Sequence, residues 1–155
     1  MELIYRLLAQ ITILRRRLIL KRCKDYLGID FTPLDVIPDE YGCMEAVTTI
    51  LTQCGVFPKM IPGTWTVNDG MQRRLYKGWF PTHKPQPGDI AIAPTGTGSK
   101  GTIGHTWIIG DNGLWYSNDS WTGKWQANYT KQTAYEKYTV DKGIPIFYYT
   151  YISTL

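Results

Sequence analysis

Residues 103–118 read IGHTWIIGDNGLWYSN, and the way this stretch folds decides the architecture. Two apolar runs, Ile103 to Ile109 and Leu114 to Asn118, flank Asp111-Asn112-Gly113. Asn-Gly between two such runs is the strongest short hairpin signal, because the tight two-residue turn needs positive φ at both central positions. Two antiparallel strands are predicted. With Asn112 and Gly113 as the central pair, Asp111 pairs with Leu114 and Trp107 with Asn118. Asn118 and Ser120 then share the face of His105, Asn118 on the diagonal. A loop one residue longer flips the parity and turns Asp119 toward His105. The Asn-Gly preference for the two-residue loop favours Asn118.

The same strand texture extends on both sides. Upstream, Pro87-Gly88-Asp89 turns into Ile90-Ala91-Ile92-Ala93, and a Gly/Thr/Ser loop, Thr95 to Thr102, leads to the hairpin. Downstream come a turn at Ser120 to Gly123, a short helix over 131–138 and a final strand, Ile144 to Ile152, rich in Tyr, Phe and Ile. Before Pro85 the pattern is helical. Asp39 is placed to N-cap a helix over 40–54, and Gly55 supplies its stop. Residues 56–66 are irregular, and a short helix is predicted around Val67–Leu75. Ile4, Leu7, Leu8, Ile11, Leu14 and Leu18 recur at helical spacing and predict a helix over 2–26. Gly28 to Pro38 reads as a connector, since Pro33 and Pro38 limit helix. The order is helix, Cys-bearing helix, then mostly antiparallel strands, an α+β chain. The expected units are a basic amphipathic helix (1–27), a connector (28–38) and a folded domain (39–155).

Bulk properties narrow the classes. The 155 residues suit one domain with a core, and 43% hydrophobic against 19% charged residues is a globular composition. The net charge is +4. Residues 1–24 alone hold seven basic residues against Glu2, a local +6, so the body carries about −2 and is no nucleic-acid surface. A basic amphipathic helix such as 2–24 is suited to an anionic membrane surface or a protein partner. The alternative is a helix whose apolar face packs on its own domain. The apolar run Leu7 to Leu14 is too short to span a bilayer. The basic cluster follows that run instead of preceding it, unlike a secretory signal. Gly96 to Gly101 is no phosphate loop, because Gly101 stands after Lys100 where Ser or Thr is needed.

Three cysteines, Cys23, Cys43 and Cys54, with two histidines, show no zinc-ligand spacing, so no metal or cofactor is expected. Cys43 and Cys54 lie about three turns apart on one helix, too far for a disulfide. Cys43 falls in the first turn, where backbone N–H groups and the helix dipole favour a thiolate and an oxyanion. It also falls on the stripe Cys43, Val47, Ile50, Cys54, which is what a core cysteine does. His105 shares its strand face with Ile103, Trp107 and Ile109 and needs a polar partner there. A thiol across a helix–sheet interface is one. Trp107, Trp121, Trp125 and Tyr41 are the aromatic candidates to line a cleft; core packing is the alternative for each.

Taken in order, Tyr41-Gly42-Cys43, Pro87-Gly88-Asp89, Gly104-His105-Thr106-Trp107-Ile108-Ile109 and Tyr116-Ser117-Asn118-Asp119-Ser120-Trp121 resemble the CHAP amidohydrolase/peptidase family, within a wider set that includes NlpC-type peptidases and small phage-type lysins. The resemblance covers residues 35–150. It implies a papain-like fold with the Cys helix packed on an antiparallel sheet. It implies cleavage of a peptidoglycan amide, within the stem peptide or between sugar and peptide. Carried over, Cys43 is the nucleophile, His105 the general base and Asn118 the orienting residue, with Asp119 as the alternative. Many members have Glu at the place of Asn118, Asn two residues later where this chain has Ser120, and Gln just before the Cys, where this chain has Glu40-Tyr41-Gly42. Peptidoglycan is then the expected partner and the cell wall the place of action, after synthesis in a host cytoplasm. The competing reading is an inactive wall- or partner-binding module of the same fold.

Overall fold

The computed structural model describes residues 1–31 and 42–155. Its helices are α1 (Glu2–Asp25), α2 (Gly42–Gln53), α3 (Thr64–Gln72) and α4 (Lys131–Ala134), which runs on into a π-helical segment, Tyr135–Val140. Its strands are β1 (Trp79–Pro81), β2 (Ile90–Ala93), β3 (His105–Ile109), β4 (Trp115–Asn118), β5 (Trp125–Tyr129) and β6 (Phe147–Tyr151). They form one antiparallel sheet in the order β1-β6-β2-β3-β4-β5. The chain is thus α+β, with its sheet covered on both faces.

Alternation along the strands sorts the core into two layers. On one face Ile90, Ile92, Ile108, Tyr116, Trp125 and Tyr149 pack against Met44, Val47, Ile50 and Leu51 of α2 and against Ile19 and Cys23 of α1. On the other, Ala91, Trp107, Ile109 and Trp115 pack against Ala134, Tyr138 and Ile144. The stripe Val47, Ile50, Cys54 is buried as its spacing requires.

α1 is stapled to this body by polar contacts as well as apolar ones. Arg16 donates to Asp89 Oδ1 at 2.6 Å and also to Thr150 Oγ1. Thr150 donates to the same carboxylate oxygen at 2.8 Å, and Gln86 N–H donates to Asp89 Oδ2 at 2.7 Å. Arg15 donates to the Cys54 carbonyl at 2.6 Å, Trp125 Nε1 to the Cys23 carbonyl at 3.1 Å, and Ser153 N–H to Thr12 Oγ1 at 2.9 Å. Two of the three consecutive arginines are therefore internal staples; Arg17 stays exposed. Beyond α1, Gly28 N–H donates to the Trp125 carbonyl, and Asp30 bridges to Lys124, so the chain runs along the edge of β5. The expected cap Asp39 lies outside the described residues. No helix among the described residues is long and apolar enough to cross a membrane.

The hairpin differs from expectation by one residue, and the difference matters. β3 and β4 pair Ile108 with Tyr116 and Ile109 with Trp115, and Gly110 N–H donates to the Leu114 carbonyl. The loop is therefore Asp111-Asn112-Gly113, three residues. Gly113 takes a positive φ of 79° while Asn112 does not, so the tight turn with two positive φ values is not formed. Asn112 Oδ1 instead accepts from Leu114 N–H at 3.3 Å.

Candidate active site

Cys43 sits in the first turn of α2 where that helix meets β3, and only 4% of it is exposed. The backbone N–H groups of Met44, Thr106 and Cys43 itself act to lower its thiol pKa. Thr106 follows His105, and successive residues of a strand face opposite ways, so His105 points to the Tyr138 side of β3, away from α2, and no contact joins it to Cys43 among the described residues. Those N–H groups favour the thiolate, as the sequence suggested, but burial outweighs them and pushes the thiol up to about 11. Cys23 and Cys54 are also free and buried.

His105, first residue of β3, is 2% exposed. Tyr138 stacks on it with ring centres 5.5 Å apart and planes 8° from parallel. Trp107 and Tyr129 close the box at 5.0 and 5.6 Å. Burial, then Lys137 and Lys142, push the imidazole down to about 3, against an opposing pull from Asp119. It is neutral at physiological pH, and its Nε2 is buried without a hydrogen-bond partner among the described residues. A neutral imidazole, one of whose ring nitrogens carries a lone pair, is the form a general base must have.

The stretch leading into His105 is fixed from α3. Thr64 Oγ1 donates to Thr95 Oγ1 at 2.9 Å, Thr95 N–H donates back to Thr64 Oγ1 at 3.0 Å, and Gly104 N–H donates to Thr95 Oγ1 at 3.0 Å. Gly104 is obligatory here, since a Cβ on it would stand 1.8 Å from the Ala93 carbonyl oxygen. Ile103 and Gly104 form a ridge shared by two cavities. One, of about 320 Å³, is lined by Cys43, Pro62, Thr64, Trp65 and Thr95. The other, of about 380 Å³, is lined by Ser120, Trp121, Lys137, Tyr138 and Lys142.

The longer hairpin loop moves the candidate third residue. Asn118 falls opposite Thr106 when the β3–β4 register is continued, on the α2 side, and does not share the face of His105. It is fully buried, and neither its Oδ1 nor its Nδ2 has a partner among the described residues. Asp119 falls at the register position opposite His105, as the longer-loop alternative anticipates. Its Oδ1, however, accepts from Trp121 N–H at 2.7 Å and Thr122 N–H at 3.1 Å, so it turns into its own loop. Ser117, on the His105 face, donates to Asn128 Oδ1 at 2.7 Å.

The expected aromatic lining is redistributed too. Trp125 is fully buried and bonded to Cys23, which makes it core. Trp107 is fully buried against His105, its Nε1 unpartnered. Trp121 is 94% exposed on the Lys137–Lys142 cavity. Tyr41 lies outside the described residues. Sequence reasoning missed Trp65, 57% exposed beside Cys43, and the box residue Tyr138. Trp65 follows Pro62-Gly63-Thr64, a helix start that the hydrophobic pattern did not mark. No local signal ties Tyr138 to His105.

No family model matches the chain, and no curated protein does. Among solved structures, a chain of the type VI native effector–immunity complex Tae3–Tai3 from Ralstonia pickettii is similar in fold. It aligns with a TM-score of 0.52 at 14% identity, over 86% of this chain and 96% of that one.

Proposed function

We propose that this chain is a cysteine-dependent hydrolase of papain-like fold that cuts an amide bond in peptidoglycan. One observation carries the reading: Cys43, at the start of α2, has its thiolate favoured by the backbone N–H of Thr106, one residue along β3 from a neutral His105 whose Nε2 has no partner among the described residues. In the reaction, Cys43 Sγ attacks the amide carbonyl as His105 accepts the thiol proton. His105 then returns that proton to the leaving amine, and water releases the acyl-enzyme. N–H groups at the start of α2 are suited to hold the oxyanion. The likeness to a chain of an effector–immunity complex supports the reading at the level of the fold. The resemblance to CHAP-type enzymes supports the substrate.

The test is turbidity of purified peptidoglycan with wild type and Cys43→Ala. Clearing by wild type alone, with new amine termini, is expected. No clearing by either, across several wall chemotypes, would favour the binding module. The raised thiol and lowered imidazole speak for that second reading.

A further inference from the structure

The cavity beside the His105 box carries charge that no ion pair among the described residues neutralises. Lys137 and Lys142 both line it. Lys142 Nζ donates to the Ile103 carbonyl at 3.0 Å and lies 4.9 Å from the centre of the Tyr138 ring. Lys137 Nζ donates to Tyr129 Oη at 2.9 Å and lies 5.7 Å from the same ring. These partners are neutral. Among the described residues no Asp or Glu forms an ion pair with either lysine. The nearby Asp119 has one carboxylate oxygen committed to the Trp121 and Thr122 N–H groups. Two cations gathered over one tyrosine repel each other, and burial and Lys137 together lower the proton affinity of Lys142. A folded chain keeps such a pair at a cost that a bound anion removes. The cavity mouth adds Trp121, an indole left almost wholly in solvent, and Ser120.

We propose that Lys137, Lys142 and Trp121 form a subsite for a carboxylate-bearing peptide, the lysines pairing with the carboxylate and the indole covering the adjoining peptide plane. The inference rests on the hydrolase reading for its substrate and extends it. The scissile amide lies over Cys43 on one side of the Ile103–Gly104 ridge, and a free carboxylate of the stem peptide lies on the other. The subsite thereby selects wall chemotypes whose stem carboxylates are free over those in which they are amidated.

Calorimetric titration of the Cys43→Ala protein with a soluble stem tetrapeptide, carboxylates free or amidated, tests this without turnover. The free acid is expected to bind at least about tenfold more tightly, the scale of a charge-assisted contact. Lys137→Gln and Lys142→Gln should each erode that preference, the double variant should abolish it, and Lys142→Arg should keep most of it. Thermal unfolding of each variant checks the fold. Equal binding of the two peptides, binding of neither, or a preference that survives the double substitution would overturn the subsite. Failure of wild type to clear peptidoglycan would strike the hydrolase reading and leave the titration standing. Clearing with no carboxylate preference would strike the subsite alone.

Discussion

Two buried polar clusters in this molecule are built on opposite principles. Around Asp89, one carboxylate oxygen takes Arg16 and Thr150 and the other takes Gln86 N–H. Along β3 and β4, by contrast, His105 Nε2, Trp107 Nε1 and both amide atoms of Asn118 are buried with no partner among the described residues, the first two on the Tyr138 face and the last on the α2 face. Buried polar groups are normally satisfied, so several unsatisfied ones on two neighbouring strands are unusual. The first cluster ties α1 to the ends of β2 and β6. The second leaves hydrogen-bonding capacity unspent on both faces of the central strands.

The contrast is sharpest in what truncation does. Arg16→Ala strands the Asp89 carboxylate in the core and is expected to cost about 3–5 kcal/mol in urea unfolding. A cost under about 1 kcal/mol would erase the distinction between the clusters. Next in size is a pH effect. Since the folded imidazole is pushed down to about 3 from an ordinary 6.5, the unfolded chain binds the His105 proton first as pH falls. Stability should therefore drop by about 1.4 kcal/mol per pH unit from just below 6.5 toward 3. Asp89 works the other way: burial raises its carboxyl, so its folded form gains a proton sooner than the unfolded one. The comparison of wild type with His105→Gln isolates the histidine slope, which the variant should lack.

A smaller effect concerns reactivity. A thiol raised from 9.0 to about 11 holds about a hundredfold less thiolate near neutral pH. Iodoacetamide at pH 7.5, followed by peptide mass mapping, should label Cys43 far more slowly than free cysteine, with the rate climbing about tenfold per pH unit. Rapid labelling would show that the thiol is activated at rest. Smallest is Asn118→Leu. It removes two unpaired amide atoms and no hydrogen bond, so stability should change by less than about 1 kcal/mol. A large loss in calorimetric melting would mean that the amide is satisfied after all.

Local periodicity carried much of the fold. The stripe Val47, Ile50, Cys54 placed the face of α2, and alternation at Ile90–Ala93 and about Trp107 placed the central strands. The third residue of the site was not legible in the same way. Asn112-Gly113 marks a hairpin, but whether Asn112 adopts positive φ depends on the strands that close around it. One extra loop residue carried Asn118 to the other face of the sheet. β1 escaped notice because three residues ending in Pro81 leave little pattern. Nor does a helix-start position report how deeply a thiol is covered. Met44 and Thr106 N–H groups act on Cys43 as local reasoning anticipates, and burial, a property of the assembled layers, overrides them.

The sheet order has a consequence for how the protein is made. β6 lies between β1 and β2, and the Arg16–Thr150 and Thr12–Ser153 contacts join residues 134 and 141 positions apart. During synthesis β1 and β2 therefore emerge with a gap between them, and the edge of β2 stays unpaired until residues 147–151 clear the ribosome. α1, made before the sheet, has no Thr150 or Ser153 to dock on until this last strand emerges. Such distant closures are slow steps, and the waiting segments are apolar. The nascent chain should thus be a chaperone client until β6 emerges, and ribosome-stalled chains that expose α1 to α4 but not β6 should remain open to protease.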